Sequence, residues 1–255
     1  MSLRNDLTKH RVFVQRLAGT EANNIGIFLD KLSLVARSGV TSGISGEPLK
    51  SRLRSVMADL HIVATQNLLD VAVYEAKFSS KLFSKHYETN ISSPTENTLK
   101  KAIVTTNMSI NNVHTHGTSV LKVNESAPNK SIATAYKQFG QRKADDIYQV
   151  VRDANINNLT VAETHAAIEE RIAGLLTSQA RTLAATAINY TTNIAKSQVI
   201  QENRDIIAQE QWVSTLETNT CDYCEGNNDQ VYDQGEAPDC PAHWNCNCEV
   251  IPYVG

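Results

Sequence analysis

All five cysteines of this chain lie near its C-terminus, and their spacing constrains the fold more than any other feature. They fall between Cys221 and Cys248, and no cysteine occurs before them. Cys221 and Cys224 form a C-x2-C pair, and His243, Cys246 and Cys248 follow as H-x2-C-x-C. Two close groups of ligands joined by a loop are how a short segment builds a tetrahedral Zn²⁺ site. The pattern therefore predicts a metal-binding module.

Other interpretations of the cysteines are a disulfide framework, a redox pair and free thiols that bind no metal. An odd number of cysteines, and polar N-terminal residues without a secretory signal, disfavour disulfides and favour a protein made in the cytoplasm. A thioredoxin-like pair at Cys221 and Cys224 would normally open a helix in a βαβ unit, whereas residues 225–228 read as a turn. A deaminase zinc site is excluded because Thr220 stands where its motif requires proline.

One structural Zn²⁺ is therefore expected, with four protein ligands: Cys221, Cys224, His243 and Cys248. Cys246 competes for the fourth place, because an extended C-x-C segment directs alternate side chains to opposite sides. One of these two thiols is expected to point away from the metal. Cys240 belongs to neither group and is expected to be free.

Composition and the absence of common motifs limit the class of protein. A length of 255 residues allows one large domain or two modest ones. The formal net charge of −3 argues against a general nucleic-acid-binding protein. No window approaches eighteen apolar residues, so we expect no membrane-spanning segment. The sequence lacks the G-x-S-x-G, P-loop and dinucleotide-binding motifs, and we expect no enzymatic activity.

Periodic apolar residues predict that most of the chain before Gln209 is helical. They recur at helical spacing from Leu3 to Arg37 and, after a loop, from Leu49 to about residue 87. The second run is long for a globular helix and favours an elongated bundle. Three capping sequences predict further helices, and they begin at Ser93, Ser131 and Thr160. A break is expected near 176–178.

Beyond Gln209 the pattern changes to short β-like runs between turn residues. Three short strands bury too little apolar surface to stay folded alone, so a Zn²⁺ ion would hold them together. We predict a mainly α protein of the α+β class, an elongated helical bundle followed by a small zinc-stapled β-rich C-terminal module. The expected regions are an N-terminal helical region (1–125), a second helical region (126–209) and a Cys/His metal-binding β module (210–255). The N-terminal region is expected to hold the module at a distance.

Three motifs follow one another in the tail. They are W-V-S-T-L-E-T-N-T-C-x-x-C from Trp212, Q-V-Y from Gln230 and P-x-H-x-N-C-x-C from Pro241. Together they resemble the C-terminal signature of the phage head morphogenesis proteins, the Mu F-like minor head proteins of tailed bacteriophages and prophages. The helical residues from about 130, including Arg181-Thr182, also fit this family. The sequence departs from the family pattern at Glu217, Asn219, Asn228-Asp229 and Asn247, none of which is a metal ligand.

The resemblance implies a minor structural protein of the virion, portal-associated and located inside the capsid near the portal vertex. Such a protein acts in head morphogenesis, and ejection with the genome is a further expectation. The expected partners are the portal protein, other capsid-internal or ejection proteins, packaged DNA and other copies of the chain in a homo-oligomer. Because Asn219 and Asn247 replace positive charges of the family pattern, the tail itself is a weaker candidate for gripping DNA.

The alternative function is a metal-dependent or redox enzyme that uses the C-terminal Cys/His cluster. A structural zinc is closed by four protein ligands, whereas a catalytic zinc keeps one position for water or substrate. The number of protein ligands is therefore the observation that separates the two functions.

Overall fold

The computed structural model describes residues 3–106, 131–215, 220–243 and 246–254. Within these ranges, eight α-helices precede or interrupt a small three-stranded sheet. The helices are α1 (Leu3–Thr41), α2 (Gly46–Ala58), α3 (Leu60–Tyr87), α4 (Glu96–Thr105), α5 (Ile132–Ile156), α6 (Val161–Gly174), α7 (Arg181–Glu202) and α8 (Asp222–Asn227). The strands are β1 (Gln209–Val213), β2 (Val231–Asp233) and β3 (Glu249–Pro252). The predicted fold class, mainly helical with a small β-rich C-terminal module, is confirmed.

Helix starts follow the capping chemistry of the sequence at two of three predicted positions. Ser131 caps α5 by accepting from the amide of Thr134, and Thr160 forms a complete capping box with Glu163 at α6. The third prediction is wrong by two residues. Thr95, rather than Ser93, is extended and accepts from the amide of Thr98, so α4 begins after it.

The breaks between helices are shorter than the sequence indicates. The loop expected from residue 40 to 48 is reduced to 42–45 because Gly43, with φ 68°, and Gly46, with φ 62°, turn the chain sharply. The long apolar run is divided at Asp59 into α2 and α3. The break expected near 176–178 is a π-helical turn, Leu175–Ala180, which joins α6 to α7.

The stretch Gly46–Tyr87 is long and apolar enough to cross a membrane, with a mean hydropathy of 1.2 over its best 18-residue window. Core helices of water-soluble proteins reach the same value. In α3, Leu68, Ala72 and Phe83 are fully buried against other parts of the protein. The absence of a membrane-spanning segment stays a prediction.

One hydrophobic core joins the two expected helical regions. Leu29 of α1 and Leu53 of α2 share it with Ile147 of α5 and Leu183 of α7, and all four are buried. The packing of α2 on α5 is close: a Cβ on Gly140 would lie 3.0 Å from the carbonyl oxygen of Met57. Residues on both sides of position 125 therefore contribute to a single packing unit.

A second core attaches the C-terminal sheet to the helices. Its strands run in the order β2-β1-β3, both pairs antiparallel, and Gln211 pairs with both Val231 and Ile251. Val213 and Ile251 of this sheet are buried together with Leu7 of α1 and Phe83 of α3. The expectation that the N-terminal region holds the module at a distance is wrong. The apolar face of so small a sheet needs cover, and the helices provide it.

Candidate metal centre

The first pair of cysteines lies on a short helix that follows β1. Cys221 is the N-cap of α8, and its Sγ accepts from the amide of Cys224 at 3.5 Å. Of residues 225–228, predicted to be a turn, the first three instead complete this helix, and Asn228 begins the turn that follows it. The C-x2-C pair therefore does open a helix, but the described strands around it are antiparallel and form no βαβ unit.

The second group of ligands lies on the segment that leads into β3. The amide of Cys246 donates to the carbonyl of His243 at 3.1 Å, which turns the chain back toward α8. Cys248 directly precedes the first residue of β3. Because β3 pairs with β1, the sheet brings the two groups together across 19 or more residues of chain.

Three distances between neighbouring ligand atoms are close to those of a tetrahedral metal site. His243 Nε2 lies 3.2 Å from Cys221 Sγ and 3.3 Å from Cys224 Sγ, and Cys224 Sγ lies 3.7 Å from Cys246 Sγ. Zinc bonds of usual length would place two sulfurs about 3.8 Å apart and a sulfur and a nitrogen about 3.6 Å apart. The converging ligand atoms form two groups of three that share Cys224, and these groups could hold a metal ion.

Both thiols of the C-x-C segment face the cluster, so the prediction that one points away is wrong. The Sγ atoms of Cys224, Cys246 and Cys248 all lie within 4.8 Å of one another. Residues 246–248 precede β3 and are not in a strand, and the alternation of an extended chain does not apply to them. They differ in their other contacts, since Cys248 Sγ donates to Ser214 Oγ at 3.4 Å.

The cluster is buried in a small core of its own. Trp212 packs against the cysteines and donates from its indole nitrogen to Ser214 Oγ at 3.1 Å. Hydrogen bonds from Cys224, then from Cys240 and Cys248, hold the pKa of the Cys246 thiol far below its usual range. A thiolate is the form that binds a metal. The hydrogen bond to Cys246 in turn raises the pKa of Cys224, so the cluster favours one thiolate that its neighbouring thiols stabilise.

The sequence predicts that Cys240 is a free thiol, but its side chain also contacts the cysteine cluster. It forms no disulfide, yet it packs against the cluster and shares a hydrogen bond with Cys246. Burial is the main reason that the pKa of Cys240 lies well above its usual range. It is absent from both groups of converging ligand atoms. Its side chain therefore borders the metal site from outside.

Two asparagines of α7 fix the backbone of the ligand segment. Asn189 Nδ2 donates to the carbonyl of Cys246 at 2.9 Å, and Asn193 Nδ2 donates to the carbonyl of Cys248 at 3.3 Å. Asn193 Oδ1 also accepts from the amide of Val250 at 3.2 Å. The helical body therefore positions these cysteines directly.

A buried ionic network lies beside the cluster. No motif in the sequence predicted it. His10 Nε2 is 2.6 Å from the Glu75 carboxylate, and Lys196 Nζ contacts both Glu75, at 3.5 Å, and Glu249. Arg11 approaches Glu249 at 3.7 Å. Burial opposes the charge on Lys196, but Glu249 and Glu75 outweigh it and raise the pKa of Lys196.

In the sequence, the one sign of this network is an isolated basic residue, Lys196, in α7. Lys196 is the single charged residue between Thr182 and Val199, and the other charges of its helix, Arg181 and Glu202, lie at the two ends. Its partners in α1, α3 and β3 carry no motif. Arg181, the other basic residue of this helix, is exposed and has no ion pair with the described residues of the module. Glu217 and Asn219 lie outside the described residues.

Fold and site together define a helical protein that carries a small Cys/His module able to hold a metal ion. No protein-family model, curated protein or solved structure matches the chain. The resemblance to the Mu F-like proteins therefore depends on the sequence from about residue 130 alone, and chiefly on the motifs of the tail.

Proposed function

We propose that this chain is a minor structural protein of a bacteriophage head, and that one closed Zn²⁺ site keeps its C-terminal module folded and docked on the helices. The observation that carries the proposal is the buried convergence of thiols and one imidazole within the tail whose motif order resembles the Mu F-like proteins.

Closure of the site favours a structural ion. Cys221, Cys224, Cys246 and Cys248 are each at most 4% exposed. The cavity that reaches Cys248 measures about 10 Å³, room for no more than one water molecule. Five donor atoms lie in two groups of three that share Cys224, so the chain offers more donors than the four a closed site needs. These features oppose the alternative of a metal-dependent or redox enzyme.

Donor chemistry and spacing favour zinc and one ion. Thiolates with one imidazole are ligands that Zn²⁺ prefers in structural sites. The ligand set proposed is Cys221, Cys224, His243 and Cys246, with Cys248 held nearby by Ser214. Cys246 takes precedence because its Sγ lies at the distance of a tetrahedral edge from Cys224, while Cys248 already has a hydrogen-bond acceptor.

Zinc content and coordination test the structural part. The purified chain should contain one zinc per chain, and X-ray absorption should show three sulfurs and one nitrogen without a water oxygen. Cys246→Ser should lower zinc affinity more than Cys248→Ser does, and Cys240→Ser is the matched control outside the ligand set. A disulfide in place of zinc would overturn the assignment, and an oxygen ligand in the wild-type site would favour the enzyme.

The virion part rests on the resemblance of the sequence to the Mu F-like proteins. The proposed partners are the portal protein and other capsid-internal or ejection proteins, with packaged DNA and self-association in a homo-oligomer as further contacts. The proposed location is inside the capsid near the portal vertex, after synthesis in the host cytoplasm.

Mass spectrometry of purified particles tests this location. The chain should be present in few copies in filled heads, protected from added protease, and should crosslink to the portal protein. Its depletion from particles that have released their DNA would support ejection, and its retention would exclude that step. Absence from purified particles would overturn the proposal.

A further inference from the structure

A second candidate site lies away from the cysteine ligands. A cavity of about 260 Å³ opens between α7, β1 and residues 235–240, with room for about nine water molecules. It is built from two kinds of surface. Ile194 and Val250 provide apolar walls, and Glu210, Ser197 and Asp239 contribute oxygen atoms.

Glu210 is the unusual member of this cavity. It is 5% exposed, and its Oε1 accepts one hydrogen bond, from the amide of Gly235 at 3.3 Å. Among the described residues no Lys, Arg or His forms an ion pair with it, in contrast to Glu75 and Glu249, which share Lys196. Burial raises the pKa of Glu210, the expected effect of a missing counter-ion. A buried carboxylate without a cation is costly unless a partner supplies one.

The kind of cation follows from the lining. Oxygen-seeking metal ions take about six to eight oxygen ligands. In the described part of the chain, however, three or more candidate ligand side chains converge only at the cysteine cluster. An ammonium group needs a few acceptors instead, and a carboxylate with hydroxyl and amide oxygens supplies them. The apolar walls suit a methylene stem attached to that ammonium group.

We propose that this cavity binds the ammonium end of an aliphatic amine, with Glu210 as its counter-ion and the methylene stem against Ile194 and Val250. The amine is either a free small molecule or the side chain of a lysine on a partner protein. The site does not depend on the proposed head function, because no metal ligand and no partner of the virion enters the argument.

Titration of the full-length, zinc-loaded protein with n-butylammonium chloride tests the site. Butylammonium should bind with a dissociation constant on the order of millimolar and raise the melting temperature. n-Butanol, with the same stem and no charge, and sodium chloride at equal ionic strength should do neither. Equal binding of butanol, or no binding of butylammonium, would overturn the proposal.

Two variants link the binding to Glu210. Glu210→Gln keeps the acceptor for Gly235 and removes the charge, and should weaken butylammonium binding at least tenfold. Glu236→Gln makes the same change at an exposed glutamate outside the cavity lining and should leave binding unaltered. Equal loss in both variants would show a general charge effect and contradict the assignment.

A gain-of-charge variant covers the case in which Glu210→Gln fails to fold. Gln198 is half-buried and lines the cavity from α7. Gln198→Lys therefore places an ammonium group, tethered to the chain, at this cavity. This variant should melt at a higher temperature than wild type and no longer bind butylammonium. Unchanged binding would contradict the proposal.

The source of the amine is separated by two more probes. Spermidine represents a free amine, and Nα-acetyl-lysine amide represents a lysine side chain in a protein. Tighter binding of spermidine assigns a free amine, and tighter binding of the lysine derivative assigns a partner's lysine. If neither binds, the ammonium site is rejected.

Discussion

Lys196 of α7 and Glu249 of β3 form an ion pair inside the protein, and Glu249 directly follows a cysteine of the metal cluster. Lys196 also contacts Glu75 of α3, which in turn pairs with His10 of α1. The ammonium group of Lys196 therefore joins α7 and α3 to β3 of the module, and Glu75 extends these contacts to α1. The metal centre and the helical body are held by one continuous set of contacts.

Lys196→Met is expected to destabilise the protein by about 3–5 kcal/mol, because it leaves Glu75 and Glu249 buried without their shared cation. Urea unfolding measures the change. Arg54→Met is the matched control, since Arg54 pairs with Asp145 on the solvent-screened surface and its loss should cost far less stability. Similar losses in the two variants would show that the buried network has no special role.

Cys221→Ser should unfold the module locally, because metal binding of roughly 10 kcal/mol or more is coupled to folding in small zinc modules. Hydrogen exchange should show lost protection in β1, β2 and α8, while α5 and α6 remain protected. Cys240→Ser, outside the ligand groups, should keep both zinc and protection. A protected tail in Cys221→Ser would mean that the metal does not hold it.

Gly140→Ala is expected to destabilise the protein by about 1–3 kcal/mol, because the new methyl group meets backbone of α2 that has little freedom to shift. Thermal unfolding measures it. Gly174→Ala is the control: nothing lies within 4 Å of its added Cβ, and the gain in helix propensity should stabilise by up to about 1 kcal/mol. Equal stability of Gly140→Ala and wild type would contradict the close packing of α2 on α5.

Glu210 should make stability fall with rising pH when no amine is bound. Its pKa in the folded protein is raised by burial, partly offset by the amide of Gly235. The folded state thus binds the proton more tightly than the unfolded chain, in which the pKa of a glutamate is about 4.3. The stability that the protonated carboxyl of Glu210 contributes is fully present below the pKa of the unfolded chain. It is lost as pH rises through the pKa of Glu210 in the folded protein.

The unfolding free energy of wild type minus that of Glu210→Gln should fall as pH rises across this range, since the lowered pKa values of other carboxyl groups such as Glu249 affect both proteins alike. Asp239 and Tyr190 also line the cavity, so Asp239→Asn is measured in parallel. The same decline in Glu210→Gln would assign the effect to another group.

Much of the local structure and of the ligand set was predictable from sequence. The caps at Ser131 and Thr160 depend on residues three positions apart. The grouping of Cys221 with Cys224 likewise follows from the single turn that separates them. At Ser93 the same reasoning failed because Thr95, two residues later, offers a competing cap.

The sequence by itself determined the helical periodicity, the short strands of the tail and the residues able to bind a metal, because these follow from contacts between near neighbours in the chain. The tertiary structure alone decided that Lys196 neutralises Glu75 and Glu249, that both Cys246 and Cys248 face Cys224, and that the module docks on the helices. His10 and Glu75 are 65 residues apart, and Arg11 reaches the carbonyl of Asn247 across 236. No periodicity or motif encodes such pairs, since they depend on which buried surfaces the folded helices and sheet bring together.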